Sequence, residues 1–225
     1  MRQIIRNNAL FFTLFLLYLI VGGVLLFTNE KGELELWVNQ HHTTFADFFF
    51  KYITNLGDGT FCLIMAAVLL FVRFYYSLLA LLPLLSGLIT QIFKRTIYSE
   101  VRRPKVFFSN QRESLNYVDG YSFEELSCCN SFPSGHTTTA FAIFLAFALI
   151  TRKSYWGGVF FLLAVLTAIS RVYLLQHFYV DTFFGALIGT FSMLVFYWIL
   201  EYKQVGQIPF FQKKFPLGNR GLKAE

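Results

Sequence analysis

His177 and Asp181 stand four residues apart late in the chain, so on a helix they would share one face. A carboxylate that holds a proton on one ring nitrogen of a histidine leaves the other nitrogen free to attack. The nearby Ser170-Arg171 adds a cation to the same region. This combination suits covalent catalysis at phosphorus, although a satisfied polar pair inside a helical bundle is the simpler alternative.

A second polar segment, Pro133-Ser134-Gly135-His136, directly precedes an apolar run that predicts a helix. Glycine lets the backbone approach a ligand closely, and the first turn of a helix leaves N–H donors unpaired. An anion is the natural ligand for such donors. The simpler alternative is that Ser134 is an ordinary N-cap.

A third polar segment concentrates positive charge. Lys94-Arg95 ends an apolar run, and Arg102-Arg103-Pro104 follows within a few residues. A polyanion could be held where these side chains meet. The first and last of these cations, Lys94 and Arg103, are the preferred pair, with Arg95 and Arg102 as substitutes.

Neither the histidines nor the cysteines outside these segments have metal-ligand spacing. His41-His42 are adjacent, so they point in different directions, and they are predicted to be a solvated loop pair. Cys62 is predicted to be a buried apolar residue, and with Cys128-Cys129 it makes no disulfide framework. The acidic residues form no metal-binding pattern either. The chemistry is therefore predicted to need no metal ion and no other cofactor.

The composition predicts that a bilayer surrounds the elements that position these residues. Of 225 residues, 56% are hydrophobic, only 14% are charged, and 29 are phenylalanine. The net charge is +6, but the basic residues are scattered between apolar runs. This distribution does not favour nucleic acid as a partner. Residues 1–225 are predicted to be a single membrane domain whose partners are the bilayer and an anionic lipid.

Apolar runs of spanning length predict an all-α bundle of six transmembrane helices. The long run from Phe61 to Phe93 is broken only by Arg73, which is placed at a tight turn because a buried arginine would need a partner. A cleaved signal peptide is the alternative for the first run. The predicted spans are approximately 10–27, 56–72, 75–93, 137–150, 156–174 and 182–200.

An even number of spans places the three polar segments, 94–104, 131–137 and 170–181, on one membrane face. Thr44–Ile53 is predicted to lie in the interface, and Lys94–Asn130 to form an outer loop. The positive-inside rule favours cytoplasmic termini, with the basic tail inside. The residues assigned to the inner face are Arg2, Arg6, Arg73, Arg152, Lys153, Lys203, Lys213, Lys214, Arg220 and Lys223.

The segments 131–137 and 170–181 resemble the type-2 phosphatidic acid phosphatase superfamily, which also includes bacterial undecaprenyl-diphosphate phosphatases, lipid A phosphatases and vanadium haloperoxidases. Pro133-Ser134-Gly135-His136 matches its central motif, and Ser170-Arg171-x5-His177-x3-Asp181 matches its last motif in full spacing. The first motif, Lys-x6-Arg-Pro, is only approximated. Eight residues separate Lys94 from Arg103, whereas six separate Arg95 from Arg102.

The resemblance implies that His177 is a nucleophile forming a phosphohistidine, that Asp181 orients it, and that His136 protonates the leaving group. It implies that phosphoryl oxygens are bound by Lys94, Arg103, Ser134, the Gly135 N–H and Arg171. The expected function is metal-independent hydrolysis of a lipid phosphate or diphosphate at the periplasmic or exterior face of a bacterial inner membrane. Undecaprenyl diphosphate, phosphatidate, phosphatidylglycerophosphate and lipid A all remain possible substrates. A lipid-to-lipid phosphotransferase and a non-catalytic lipid-phosphate transporter are the alternatives.

Overall fold

The computed structural model describes residues 2–216, and within them every regular element is a helix. The all-α prediction is confirmed for this part of the chain. Arg220 and Lys223, which were assigned to the basic tail, lie outside the described residues. The helices are α1 Arg2–Asn7, α2 Ala9–Thr28, α3 Glu33–Gln40, α4 Thr44–Ile53, α5 Gly59–Leu70, α6 Phe74–Thr96, α7 Pro104–Phe107, α8 Gly135–Thr151, α9 Ser154–Tyr173, α10 Tyr179–Tyr202 and α11 Pro209–Gln212, with short 3-10 turns at Thr54–Gly57, Ser109–Ser114 and Val205–Gln207.

Four helices, α2, α6, α9 and α10, are long and apolar enough to cross a membrane. The stretch Thr44–Gly57 meets α5 at a bend of 64°. Taken together, the two are also long and apolar enough to form one broken span. The remaining apolar helix, α8, is shorter. Each predicted span ends within three residues of the ends of a helix. By length and composition four helices, or five with the bent pair, could cross a membrane, so the predicted count of six and the interfacial position of α4 are not confirmed.

α8 is the core of the bundle. It packs against α6, α9 and α10, and nearly all its side chains from Thr137 to Leu149 are buried. A helix that is buried all round needs no polar face, which explains its continuous apolar sequence. The backbones approach closely here, because a Cβ on Gly189 of α10 would overlap the Thr138 carbonyl group.

The outer surface of the bundle is apolar as well. Large hydrophobic side chains are exposed along the spanning helices, among them Leu16, Leu88, Leu162 and Phe191. A water-facing protein rarely presents so much contiguous apolar surface. These side chains and the four span-length helices identify an integral membrane protein.

Arg73 occupies the turn between α5 and α6, as predicted. It is the N-cap residue of α6, and its Nη2 donates to the Gly206 carbonyl at 2.8 Å. The Phe74 N–H donates to the Lys213 carbonyl at 2.8 Å. The turn therefore also anchors the segment that follows α10.

Two predictions about loop residues are wrong. Cys128 and Cys129 are bonded to each other, so a disulfide closes a local turn in the long connection between α6 and α8. His42 is not solvated, because its side chain is only 7% exposed, with its Nδ1 2.9 Å from Asp47 Oδ1. Its ring stacks on Tyr173 with centroids 4.0 Å apart, since α4 packs against the end of α9.

Candidate active site

His177 lies in the short connection between α9 and α10, not on a helix. The chain leaves α9 through Leu175, whose φ of 52° lies in the left-handed region. The N–H groups of Gln176 and His177 then donate to the Arg171 carbonyl at 2.9 and 3.1 Å. This tight turn holds the imidazole beside the first turn of α10.

Asp181, in that first turn, joins three groups through one oxygen. Its Oδ2 lies 3.2 Å from His177 Nδ1 and accepts hydrogen bonds from the Phe178 N–H at 3.0 Å and the Ser131 hydroxyl at 2.5 Å. A carboxylate accepts rather than donates, so it favours the His177 tautomer with a proton on Nδ1. Nε2 then carries the free lone pair.

The surroundings of His177 disfavour protonation of its ring. Burial lowers its pKa well below the usual 6.5, and the nearby cations Arg103, Lys94 and Arg171 lower it further. Each of these effects opposes a second proton on the ring. A neutral imidazole with a free Nε2 is the form that attacks phosphorus.

The Pro-Ser-Gly-His segment forms the start of α8. The Ser134 hydroxyl accepts hydrogen bonds from the Thr137 N–H at 3.4 Å and the Thr137 hydroxyl at 3.0 Å, so it is an N-cap. The Ser134 N–H donates to the Asp181 carbonyl at 2.9 Å. The beginnings of α8 and α10 are thereby fixed side by side, with the unpaired N–H groups of α8 at the same end of the bundle as His177.

His136 has an acidic neighbour that sequence reasoning missed. Its Nε2 lies 3.7 Å from Asp58 Oδ2, and Asp58 caps α5 by accepting from the Thr60 N–H at 2.8 Å. The approach is close, because a Cβ on Gly57 would lie 2.5 Å from the His136 carbonyl oxygen. In the sequence, Asp58 carries only the signature of a helix cap.

Arg171, at the end of α9, is buried and only partly satisfied. Its Nη1 donates to the Thr54 hydroxyl at 2.7 Å, while its Nε finds no hydrogen-bond partner among the described residues. A buried guanidinium donor without a partner is costly and suits an anionic ligand. Thr54, which is fully buried in the turn before α5, was also missed by sequence reasoning.

Arg103 is held by backbone carbonyls on two sides. Its Nε donates to the Cys129 carbonyl at 3.0 Å, and its Nη1 donates to the Gln176 carbonyl at 3.2 Å and to Gln176 Oε1 at 3.0 Å. The vicinal cysteines and the turn that carries His177 therefore set the position of this cation. Lys94, in the last turn of α6, is only 4% exposed.

A cavity of about 440 Å³ joins these cations to the outside. It contains Lys94, Arg95 and Arg103 but no acidic residue, whereas Arg102 is exposed and lies outside the lining. Within residues 2–216, no group of three or more His, Cys, Asp or Glu side chains is placed to hold a metal ion. The cavity is lined by Gln91, Lys94, Arg95, Arg103, Ser127, Cys128, Cys129 and Asn130.

All the predicted site residues thus lie at one end of the bundle, and the chain resembles known proteins. The family model of the PAP2 superfamily matches residues 75–204. Undecaprenyl-diphosphatase BcrC of Bacillus subtilis is 29% identical over 153 residues, covering 66% of this chain and 71% of that protein. Lipid A 1-phosphatase of Porphyromonas gingivalis is 36% identical over 87 residues, covering 36% of this chain and 20% of that protein.

Two crystal structures resemble the fold. Aquifex aeolicus LpxE superposes with a TM-score of 0.62 at 27% identity, covering 73% of this chain and 93% of that one. A transmembrane PAP2-type phosphatidylglycerolphosphate phosphatase from Bacillus subtilis gives a TM-score of 0.52 at 20% identity, covering 90% and 98%. The second likeness concerns the fold alone.

Proposed function

Because this chain belongs to the PAP2 superfamily, whose family model matches residues 75–204, we propose that it hydrolyses a lipid phosphate or diphosphate through a phosphohistidine on His177, without a metal ion. The observation that carries the proposal is the buried His177, with Asp181 at its Nδ1 and the cations Arg103, Lys94 and Arg171 nearby. Relatives whose names state activity on undecaprenyl diphosphate or lipid A support the substrate class.

In the first step, His177 Nε2 attacks phosphorus and the bond from phosphorus to the leaving oxygen breaks. Asp181 stabilises the positive charge that develops on the imidazole by accepting from Nδ1–H. His136, held near Asp58, gives a proton to the leaving oxygen. The products of this step are a phosphohistidine and the released lipid.

The phosphoryl group gathers negative charge on its three outer oxygens during the transfer. Lys94, Arg103 and the unpaired Arg171 Nε supply positive charge and donors for these oxygens. The Gly135 N–H adds a donor at the start of α8, and the Ser134 hydroxyl, which accepts from Thr137, adds its own proton as a second donor. One such preorganised donor typically contributes about 10²- to 10³-fold in rate.

In the second step, water attacks the phosphohistidine and releases inorganic phosphate. By microscopic reversibility, His136 is the group that takes the proton from this water, having given one up in the first step. His177 returns to its neutral form, and no other reactant is needed.

The membrane arrangement in this proposal has six spans, formed by α2, α5, α6, α8, α9 and α10, with α4 as an interfacial helix. α4 lies along the membrane interface in this arrangement. The bend of 64° between the stretch Thr44–Gly57 and α5 is consistent with that position. An even number of spans puts both termini on one face, and the positive-inside rule favours the cytoplasm for that face. The site would then lie at the periplasmic or exterior face of a bacterial inner membrane. The arginine turn at Arg73 and the Arg152-Lys153 connection then face the cytoplasm.

The test is phosphate release from lipid phosphates by purified protein in detergent micelles. We expect His177→Ala to abolish release, whereas His41→Ala, at an exposed histidine away from the cavity, retains it. EDTA should leave the wild type active, and orthovanadate should inhibit it as a mimic of five-coordinate phosphorus. Full activity of His177→Ala, or loss of activity in EDTA that magnesium restores, would refute the proposal.

A further inference from the structure

Arg95 is a cation beside the candidate site that the proposed mechanism does not use. It is exposed in the last turn of α6, and it lines the same cavity as Lys94 and Arg103. Within residues 2–216 no ion pair and no side-chain hydrogen bond occupies its guanidinium. The simplest explanation for Arg95 is that a cation is favourable near the C-terminus of a helix. That explanation does not account for its position in the lining of a cavity.

Gln91 stands four residues before Arg95, so both side chains project from one face of α6 into the cavity. Its Nε2 lies 3.5 Å from where a Cβ of Gly135 would be, which places the amide beside the start of α8. The Gln91 amide and the Arg95 guanidinium therefore supply further donors near the Gly135 N–H, which is assigned to the reacting phosphoryl group.

Depth separates the two sets of donors. Lys94 is only 4% exposed and Arg171 only 5%, and both act on the buried His177. Arg95 and Gln91 are exposed, so they lie nearer the mouth of the cavity. No acidic side chain lines this cavity to compensate for Arg95. One phosphoryl group at His177 leaves the charge of Arg95 unmatched, whereas a second phosphoryl group bridged to the first would match it.

We propose that Arg95 and Gln91 form a binding site for a second phosphoryl group and that the substrate is a lipid diphosphate. This inference rests on the proposed function, since it assigns the inner cations to the phosphoryl group that His177 attacks. Arg95 acts as a charge-assisted donor, and Gln91 as a neutral one.

The chemistry at this second site concerns the leaving group. His177 Nε2 forms a bond to the terminal phosphorus, and the bond from that phosphorus to the bridging oxygen breaks. The bridging oxygen keeps the electron pair and departs as part of the lipid monophosphate. Arg95 stabilises the negative charge that this phosphate gains, so its contribution is larger in the transition state than in the bound substrate.

The experiment compares farnesyl diphosphate with farnesyl monophosphate, which differ only in the second phosphoryl group. For each purified protein in micelles, the ratio of kcat/KM on the diphosphate to kcat/KM on the monophosphate is measured. We expect Arg95→Gln to lower this ratio about 10- to 100-fold, the loss typical of one charge-assisted hydrogen bond. Gln91→Ala should lower it by about 3- to 10-fold, as for a neutral donor.

Arg102→Gln is the matched control, because Arg102 is an exposed arginine of the same region that lies outside the cavity lining. It should leave the ratio at the wild-type value. The inference is overturned if Arg95→Gln leaves the ratio unchanged, or if the wild type hydrolyses only the monophosphate. A wild type that releases phosphate from neither substrate would instead contradict the proposed function itself.

Discussion

The Ser131 hydroxyl donates to Asp181 Oδ2 at 2.5 Å, and both side chains are almost completely buried. The same carboxylate oxygen lies 3.2 Å from His177 Nδ1. The segment before α8 thereby fixes the carboxylate that orients the imidazole. Ser131 belongs to the Pro-Ser-Gly-His side of the site, so this hydrogen bond joins the two halves of the catalytic arrangement.

Replacing Ser131 by alanine should therefore reduce turnover more than binding. Asp181 would lose one of its three partners, and the His177 ring would be less well oriented. We expect kcat to fall about 10-fold, in line with a hydrogen bond to a charged group, while KM changes little. Steady-state kinetics on a lipid phosphate measures both. Ser99→Ala, at an exposed serine, is the control and should match the wild type; an unchanged kcat in Ser131→Ala would contradict the assignment.

The pH dependence should reflect the depressed pKa of His177. Burial and the cations Arg103 and Lys94 hold this pKa well below 6.5. Attack requires the unprotonated ring, so His177 should remain competent as the pH falls through 6.5 and lose activity only further down. We expect the acidic limb of kcat/KM that is due to His177 to lie below pH 6.5.

Removal of one cation near His177 should move the acidic limb of kcat/KM in a defined direction. In Arg103→Gln the ring is less opposed to protonation, so its pKa rises and the acidic limb moves to higher pH. Titration of the substrate is the same in both proteins, and the difference between their profiles therefore reports the enzyme. Arg102→Gln should leave the limb in place. A limb that moves to lower pH in Arg103→Gln would contradict this electrostatic account.

The contribution of His136 should depend on the leaving group. An alkoxide needs a proton as it departs, whereas a p-nitrophenolate leaves readily without one. We expect His136→Ala to lose about 10²- to 10⁴-fold in kcat on a lipid monophosphate, the usual size of general acid catalysis. The loss on p-nitrophenyl phosphate should be clearly smaller. Equal losses on both substrates would show that His136 does not protonate the leaving oxygen.

The close approach of Gly57 to α8 predicts a specific sensitivity. A Cβ at Gly57 would lie 2.5 Å from the His136 carbonyl oxygen. Because this oxygen belongs to the backbone, it can move away only if α8 shifts. Gly57→Ala should lower stability by about 1–3 kcal/mol, as overpacking does, and lower the Tm measured in micelles. Gly23→Ala is the control, since a Cβ there meets nothing within 4 Å. A Tm equal to that of the wild type in Gly57→Ala would contradict the packing described.

Much of this fold is predictable from local sequence. Apolar runs located every long helix to within three residues, because burial in a bilayer demands an uninterrupted apolar segment. The spacing of His177 and Asp181 also predicted their contact, although His177 lies in the turn before α10. A residue just before a helix can still contact the first turn of that helix. The spacing therefore identified the correct pair, although the two residues do not share a helix.

The supporting residues could not be predicted in the same way. Thr54 and Asp58 lie 117 and 78 residues before the Arg171 and His136 side chains that they contact. Those contacts arise from the bend between α4 and α5, and no local periodicity encodes how distant elements meet. The burial of His42 has the same origin, because it depends on the packing of α4 against the end of α9.

The most direct measurement for the phosphohistidine on His177 is to trap it. Purified protein is mixed with a lipid phosphate radiolabelled in the terminal phosphoryl group and quenched in alkali within the first turnover. We predict protein-bound label that is stable to alkali and labile to acid, maps to the peptide containing His177, and is absent from His177→Ala. Label on a serine, or phosphate release by His177→Ala at the wild-type rate, would contradict the mechanism.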